Sequence, residues 1–273
     1  MGKKVLFLMV VLLSVLGAGL FLAKTSELLL FDVDAALIAI AGSAVTGFLF
    51  GVARAKLKSK EKIENGEVKR HGGGSFIEHW GTAVGISVLV ASAFLLGFLF
   101  FPSQISTAEE ALLPLNIHFV GVVITLFGGF FFIGDFLATM KYNVWIPTFR
   151  EIMGGFFGKY LLGRKWRNNG KYIASVKAAF LAFAVIGGTI VVTGAIKVAG
   201  HAWPIKASVL GTATFVHDIF ALLLILMVVT HLMFLFVLPD PWVLIRSWFT
   251  GKVPEEFVKE GHTIWYEELT KDQ

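Results

Sequence analysis

The sequence predicts an all-α membrane protein: a transmembrane four-helix bundle preceded by two further helices, six spans in all. Three observations predict it. Of 273 residues, 56% are hydrophobic and only 16% charged, more apolar surface than a soluble domain of this length has use for. Six apolar runs each reach the roughly 17 to 25 residues needed to cross a bilayer. The basic residues fall almost entirely on one side of those runs, as membrane topology requires. The absence of cysteine excludes a disulfide-stapled secreted domain, and also iron–sulfur clusters and thiolate zinc sites held by this chain itself.

The runs are residues 5–23, 35–53, 80–101, 115–138, 173–196 and 212–237. The first follows Lys3 and Lys4 like a signal segment, but Phe21 stands where a small residue is wanted before Ala23, so an uncleaved helix is expected. Residues 1–53 thus form two leading helices, 54–79 a basic loop, 80–237 the four-helix domain and 238–273 a tail. Gly128 and Gly129 lie in mid-span, where small residues allow close helix packing. Gly72, Gly73 and Gly74 read as a loop before a helix.

Lys and Arg number 2 before the first run, 7 in residues 54–79, 7 in 139–172 and 4 in the tail, against 3 (Lys24, Lys197, Lys206) on the opposite side; Lys177 lies just inside the fifth run. Six spans with that asymmetry put both termini in the cytoplasm of a multi-pass protein of the cell membrane. The net charge of +5 is then a topology signal, and no nucleic-acid partner is implied. Lys58, Lys60 and Lys62 read as a solvated face that also meets anionic membrane lipid.

Seven histidines are present. His71, His201 and His262 fall in loops and read as surface residues. The other four lie in or at the ends of spans, where ionisable groups are costly and usually functional. His79 opens the third run at its inner end, and His118 is near the outer end of the fourth. On the sixth, His217 and His231 are 14 residues apart, about 21 Å along a helix and within about 40° of the same face. His118 matches the depth of His217, and His79 that of His231.

Two imidazole pairs stacked across a bilayer suit axial ligation of two haems b between apolar helices. Zinc would want three or four clustered ligands. A proton relay would want interleaved carboxylates, yet only Asp135 and Asp218 are near. The plain alternative is four unrelated histidines, each bonded to a backbone carbonyl.

At these residues the chain resembles the cytochrome b (gamma) subunit of membrane-bound formate dehydrogenases, a di-haem family related to hydrogenase cytochromes b. The similar stretches are Phe76-Ile77-Glu78-His79-Trp80, Ile117-His118-Phe119, Val192-Thr193-Gly194, and the pair His217 and His231. The tail stretches Gly251-Lys252-Val253-Pro254-Glu255-Glu256-Phe257 and Trp265-Tyr266-Glu267-Glu268-Leu269, with His262 between them, are similar to the family's carboxyl-terminal signature. The resemblance covers residues 76–269. It implies an outer haem on His118 and His217 and an inner haem on His79 and His231. Electrons would come from an iron–sulfur (beta) subunit, fed by a molybdenum or tungsten catalytic (alpha) subunit, and pass to menaquinone or another quinone. The quinone residues implied are Asn168 and Gly170, in Arg167-Asn168-Asn169-Gly170-Lys171-Tyr172. An amide there can donate a hydrogen bond to a quinone carbonyl. Lys171 stands where the family has Gln, Asn169 is equally available, and Asn168 also reads as a cap of the fifth span.

The expected function is electron transfer from outside to inside, with no formate chemistry in this chain. The rivals are a cytochrome b of a hydrogenase or a thiosulfate or polysulfide reductase, a redox-inert membrane anchor, and a transporter. A transporter would show polar or broken helices at the midplane; here the midplane is Leu, Val, Phe and Gly.

Overall fold

The computed structural model describes residues 3–32, 34–57, 61–158, 161–163, 168–237 and 241–271. Lys58, Lys60 and Arg167 lie outside them. Six helices are long and apolar enough to span a membrane: α1 (Lys3–Thr25), α2 (Ala35–Lys56), α3 (Gly73–Leu96), α4 (Ala108–Thr139), α5 (Ala174–Ala202) and α6 (Ala207–Val237). The chain is an all-α multi-pass membrane protein with little sheet.

Helix packing in a membrane needs close backbone approach, and α4 obtains it on two sides through glycine. A Cβ at Gly47 or Gly51 of α2 would collide with the Phe127 or Phe131 carbonyl of α4, and one at Gly134 of α4 would collide with the Phe48 carbonyl of α2. Against α3, a Cβ at Gly128 would strike the Thr82 hydroxyl, and one at Gly121 would come within 2.9 Å of Leu89. Gly129 faces open space. Helices α1 to α4 thus form one packed body. Helices α5 and α6 pack on each other, and among the described residues they make no extended packing against α3 or α4. The four-helix domain is two hairpins set side by side.

Several boundaries differ from the sequence reading. The fifth span continues to Ala202 and the sixth begins at Ala207. The third span runs over Gly73–Leu96 instead of 80–101: Gly97, at φ 81°, ends the helix, and Phe98 bridges back to Phe101. Hydropathy does not register a glycine turn inside an apolar run. Gly73 and Gly74 belong to the helix, with Gly72 as its cap, and the bare Gly74 leaves room for the Arg54 side chain. The fourth span starts at Ala108, where Thr107 caps the chain by accepting from the Glu110 N–H.

The expected loop and tail fold together as a small cap at the end of the bundle where α1 begins. Strands β1 (Ile63–Glu64), β2 (Glu67–Lys69) and β3 (Lys252–Pro254) form an antiparallel sheet, with Val68 opposite Ile63 on one side and Val253 on the other. Asn65 and Gly66, both at positive φ, make its hairpin turn. Helices α7 (Pro241–Thr250), α8 (Glu255–Gly261) and α9 (Thr263–Lys271) complete it. Val68, Val253, Val258, Trp265 and Leu269 form its core.

Candidate haem-binding site

The four span histidines line the space between the two hairpins at two levels. On α6, His217 and His231 lie about 21 Å apart along one uninterrupted helix. The cap-side level pairs His231 with His79 of α3, ring centroids 6.4 Å apart. That spacing would leave room for one metal ion to be held between the two imidazoles. His79 sits in a π-helical turn, Ile77–Gly81, within α3; such turns recur at functional sites because they redirect a side chain. At the distal level, His217 of α6 lies within electrostatic range of His118 of α4. Among the described residues no group of three or more His, Asp or Glu is arranged to hold a metal.

The distal imidazoles are oriented by hydroxyls. Ser92 Oγ is 2.9 Å from His118 Nδ1, and Thr193 Oγ1 is 3.0 Å from His217 Nδ1. Each hydroxyl has a single hydrogen, and each donates it to its own helix: Ser92 to the Val88 carbonyl at 2.9 Å, Thr193 to the Thr189 carbonyl at 2.8 Å. The hydroxyls therefore accept, and the imidazoles donate Nδ1–H, an assignment that the network makes. That tautomer leaves each Nε2 with a bare lone pair, the form a metal requires, and the second bond fixes the ring. Gly194 keeps space for His217, whose Cε1 a Cβ there would approach to 3.4 Å.

The cap-side level has aromatic and ionic surroundings. The indole of Trp248, on α7, lies between two imidazoles, 4.2 Å from the His79 ring and 3.9 Å from His71, nearly parallel to both. Arg54 of α2 bonds Glu78 at 3.3 Å, Asp135 at 2.5 Å and Ser75 at 2.8 Å. Below them Lys171 pairs with Glu61 at 2.6 Å, and Trp265 Nε1 donates to the same carboxylate at 3.0 Å. Arg70 is 5% exposed and lies over the rings of Tyr172 and Trp265. Burial lowers the pKa values of Arg70 and Lys171, and Glu61 opposes it in both. Burial also pushes the His71 imidazole down to about 2, helped by Arg70, so His71 is neutral.

Two loop histidines are corrected. His71 is 6% exposed and His262 3% exposed; neither is a surface residue, because the cap closes over both. His262 Nδ1 bonds the Gly170 carbonyl at 2.7 Å. His201 is exposed, as expected, but it lies in the last turn of α5 and not in a loop, paired with Asp32. Lys177, at the start of α5, is buried and ion-paired with Glu151 at 2.7 Å. Asn168 is exposed, its Oδ1 accepting from Thr263 at 3.4 Å. It does not cap α5, whose N-cap is Ile173. Asn169 is buried and donates to the Gly261 carbonyl at 2.8 Å, so it is tied into the cap and not equally available. Sequence reasoning gave Ser92, Trp248, Arg54 and Arg70 no role. Ser92 alone left a signal, as a hydroxyl in an apolar span.

Imidazole pairs at two levels between apolar helical hairpins define a class, the membrane cytochromes b. The match is specific: a family model described as prokaryotic cytochrome b561 covers residues 70–251, well over half of the chain, and the protein belongs to that family. Its cofactor is haem b and its work is electron transfer in a membrane. Helices α1 and α2 and the last two helices of the cap lie outside the matched stretch. A search of curated proteins gives no match.

Proposed function

We propose that this chain is the cytochrome b subunit of a formate dehydrogenase-type complex, carrying electrons from an iron–sulfur partner through two haems b to a quinone. The observation that carries the two-haem reading is α6, which offers one imidazole to each level, about 21 Å apart, with a second imidazole across the gap each time. The outer haem is assigned to His118 and His217, the inner to His79 and His231. Haem b, when bound, supplies reversible one-electron chemistry. Ser92 and Thr193 would hold the distal ring nitrogens in the tautomer that a metal needs, and apolar helices would line the gap. By the distribution of Lys and Arg the cap faces the cytoplasm and the distal level the outside.

Formate oxidation then belongs to a molybdenum or tungsten subunit outside, and quinone reduction to the cap side. Asn168, with its oxygen turned to Thr263, has amide N–H donors to offer a quinone carbonyl. Gly170 contributes backbone shape, since its carbonyl is bonded by His262.

Purification of the native complex from membranes tests the reading. The expected result is co-purification of an iron–sulfur protein and a formate-oxidising molybdenum or tungsten protein, with formate reducing two b haems. A hydrogenase or sulfur-compound reductase as partner moves the chain to that complex. A complex without haem overturns the electron-transfer role. Asn168→Ala should keep both haems and slow quinone reduction; unchanged turnover removes it from the quinone site.

A further inference from the structure

Four buried polar atoms beside the cap-side histidine pair lack a hydrogen-bond partner among the described residues: Arg70 Nε, Arg70 Nη1, His71 Nδ1 and Trp80 Nε1. They are neighbours in the fold. Trp80 follows His79 and packs on its ring at 5.3 Å, and His71 reaches His79 through the Trp248 indole. Arg70 precedes His71, and both backbone N–H groups are pinned to the Gly251 carbonyl, at 2.8 and 3.0 Å.

The charges here do not balance in a local sense. Arg54 has Glu78 and Asp135, and Lys171 has Glu61. Among the described residues Arg70 has the faces of Tyr172 and Trp265, and Glu61 acts on it from a distance. A buried guanidinium with two idle nitrogens is strongly unfavourable unless an anion meets it, and its planar fork matches a carboxylate.

We infer that Arg70 is the anchor for a carboxylate side arm of the inner haem, with His71 and Trp80 completing the polar rim. This rests on the assignment of His79 and His231 to that haem. Arg70 stands nine residues before His79, at the polar end of the bundle, where a haem's two charged carboxylates must lie if its ring is to stay among apolar helices. A quinone brings carbonyls but no charge, so it would leave the guanidinium uncompensated. Arg70 is a positioning residue: it fixes the ring edge while the histidines grip the iron.

The test uses the full-length chain, with haem-to-protein ratio, reduced spectrum and redox titration as readouts. Arg70→Gln should weaken retention of the inner haem by roughly ten- to a hundred-fold, as loss of a buried charge-assisted contact does. Whatever inner haem stays bound should have a lower midpoint potential, because removing a cation favours the ferric state; the outer haem should not change. Arg70→Lys, which keeps the charge without the fork, should restore the potential better than the retention. Wild-type chain reconstituted with haem dimethyl ester, whose carboxylates are blocked, should reproduce the weakened inner-level retention without any substitution, while the potential of whatever stays bound there rises, because negative charge and not positive charge has been removed. Where Arg70→Gln fails to fold, that arm decides alone. Equal retention of haem and its diester at the inner level overturns the inference, as does an Arg70→Gln variant with both haems and potentials unchanged. Intact haems with slowed quinone turnover would give Arg70 to the quinone and overturn it too. His79→Ala and His231→Ala run alongside: if neither removes the inner haem, the histidine assignment fails, and that result is separate from any result at Arg70.

Discussion

The distal and cap-side levels use the same pair of side chains in opposite settings. At the distal level each imidazole is oriented by a hydroxyl one helix away, Ser92 for His118 and Thr193 for His217, and each hydroxyl is itself tied to its own helix. At the cap-side level the order comes from elsewhere in the chain. His79 stacks on Trp248 of α7, and its neighbour Glu78 is bonded by Arg54 of α2. One site is set by spans that pack whatever the ends do; the other depends on the cap and on a leading helix outside the family pattern. The same ligand type is therefore exposed to different controls: neutral hydroxyls in an apolar interior at one end, aromatic rings and paired charges at the other.

The largest expected effect would break the comparison outright. On the proposed pairing, replacing His79 or His231 by Ala should lower the haem content from two per chain to one and leave the other haem's spectrum intact, and His118→Ala or His217→Ala should do the reverse. A pyridine haemochrome count and low-temperature reduced spectra check this; two haems in any of the four variants would refute the pairing.

Next comes Arg54→Ala, which leaves Asp135 buried and without its cation. Breaking a buried pair this way costs about 3 to 5 kcal/mol. Thermal unfolding in detergent should show that loss, with the inner haem released at lower temperature than the outer. A Gly51→Ala variant, which pushes α2 off the Phe131 carbonyl, should show the same order of release at about 1 to 3 kcal/mol.

The hydroxyl variants Ser92→Ala and Thr193→Val act at the other level. Losing the acceptor for Nδ1–H typically costs roughly 10- to 100-fold in ligand affinity, so the outer haem should be held more weakly and titrate at a changed potential. Thr193→Ser should restore both, because it keeps the oxygen. The inner haem is the internal control, and a shift there would mean the two levels are not independent.

The smallest effect belongs to Trp248. Trp248→Phe keeps a ring between His71 and His79 and should change little, whereas Trp248→Ala removes stacking contributions of about 0.5 to 1.5 kcal/mol. The expected readout is a modest broadening of the inner haem's spectrum and a lower unfolding temperature of the cap.

Much of this was legible in the residues alone. A span is a property of some twenty consecutive side chains, so a local window finds it, and the 14-residue interval between His217 and His231 becomes depth and direction through helix geometry. Ser92 was visible as a polar residue in an apolar run but not as a partner of His118, 26 residues on. His71 and His262 were misread because their neighbours are glycine, lysine, arginine and glutamate, which look solvated. Strands of two or three residues leave no periodicity to read, so the cap that covers these histidines was invisible.

Legible from the residues alone were the membrane class, the number of spans and the two levels of histidine. Each follows from composition or from spacing along one helix. Only the packed chain shows which hydroxyl fixes which imidazole, that Trp248 lies against His79, that Arg54 of α2 bonds the residue beside His79, and that Arg70 is buried with idle donors. Those are contacts between segments as much as about 180 residues apart, as between His71 and Gly251, and no local pattern specifies them. They arise because glycine faces let α2 and α3 close on α4, and because two short polar stretches bury a shared apolar core that neither has alone.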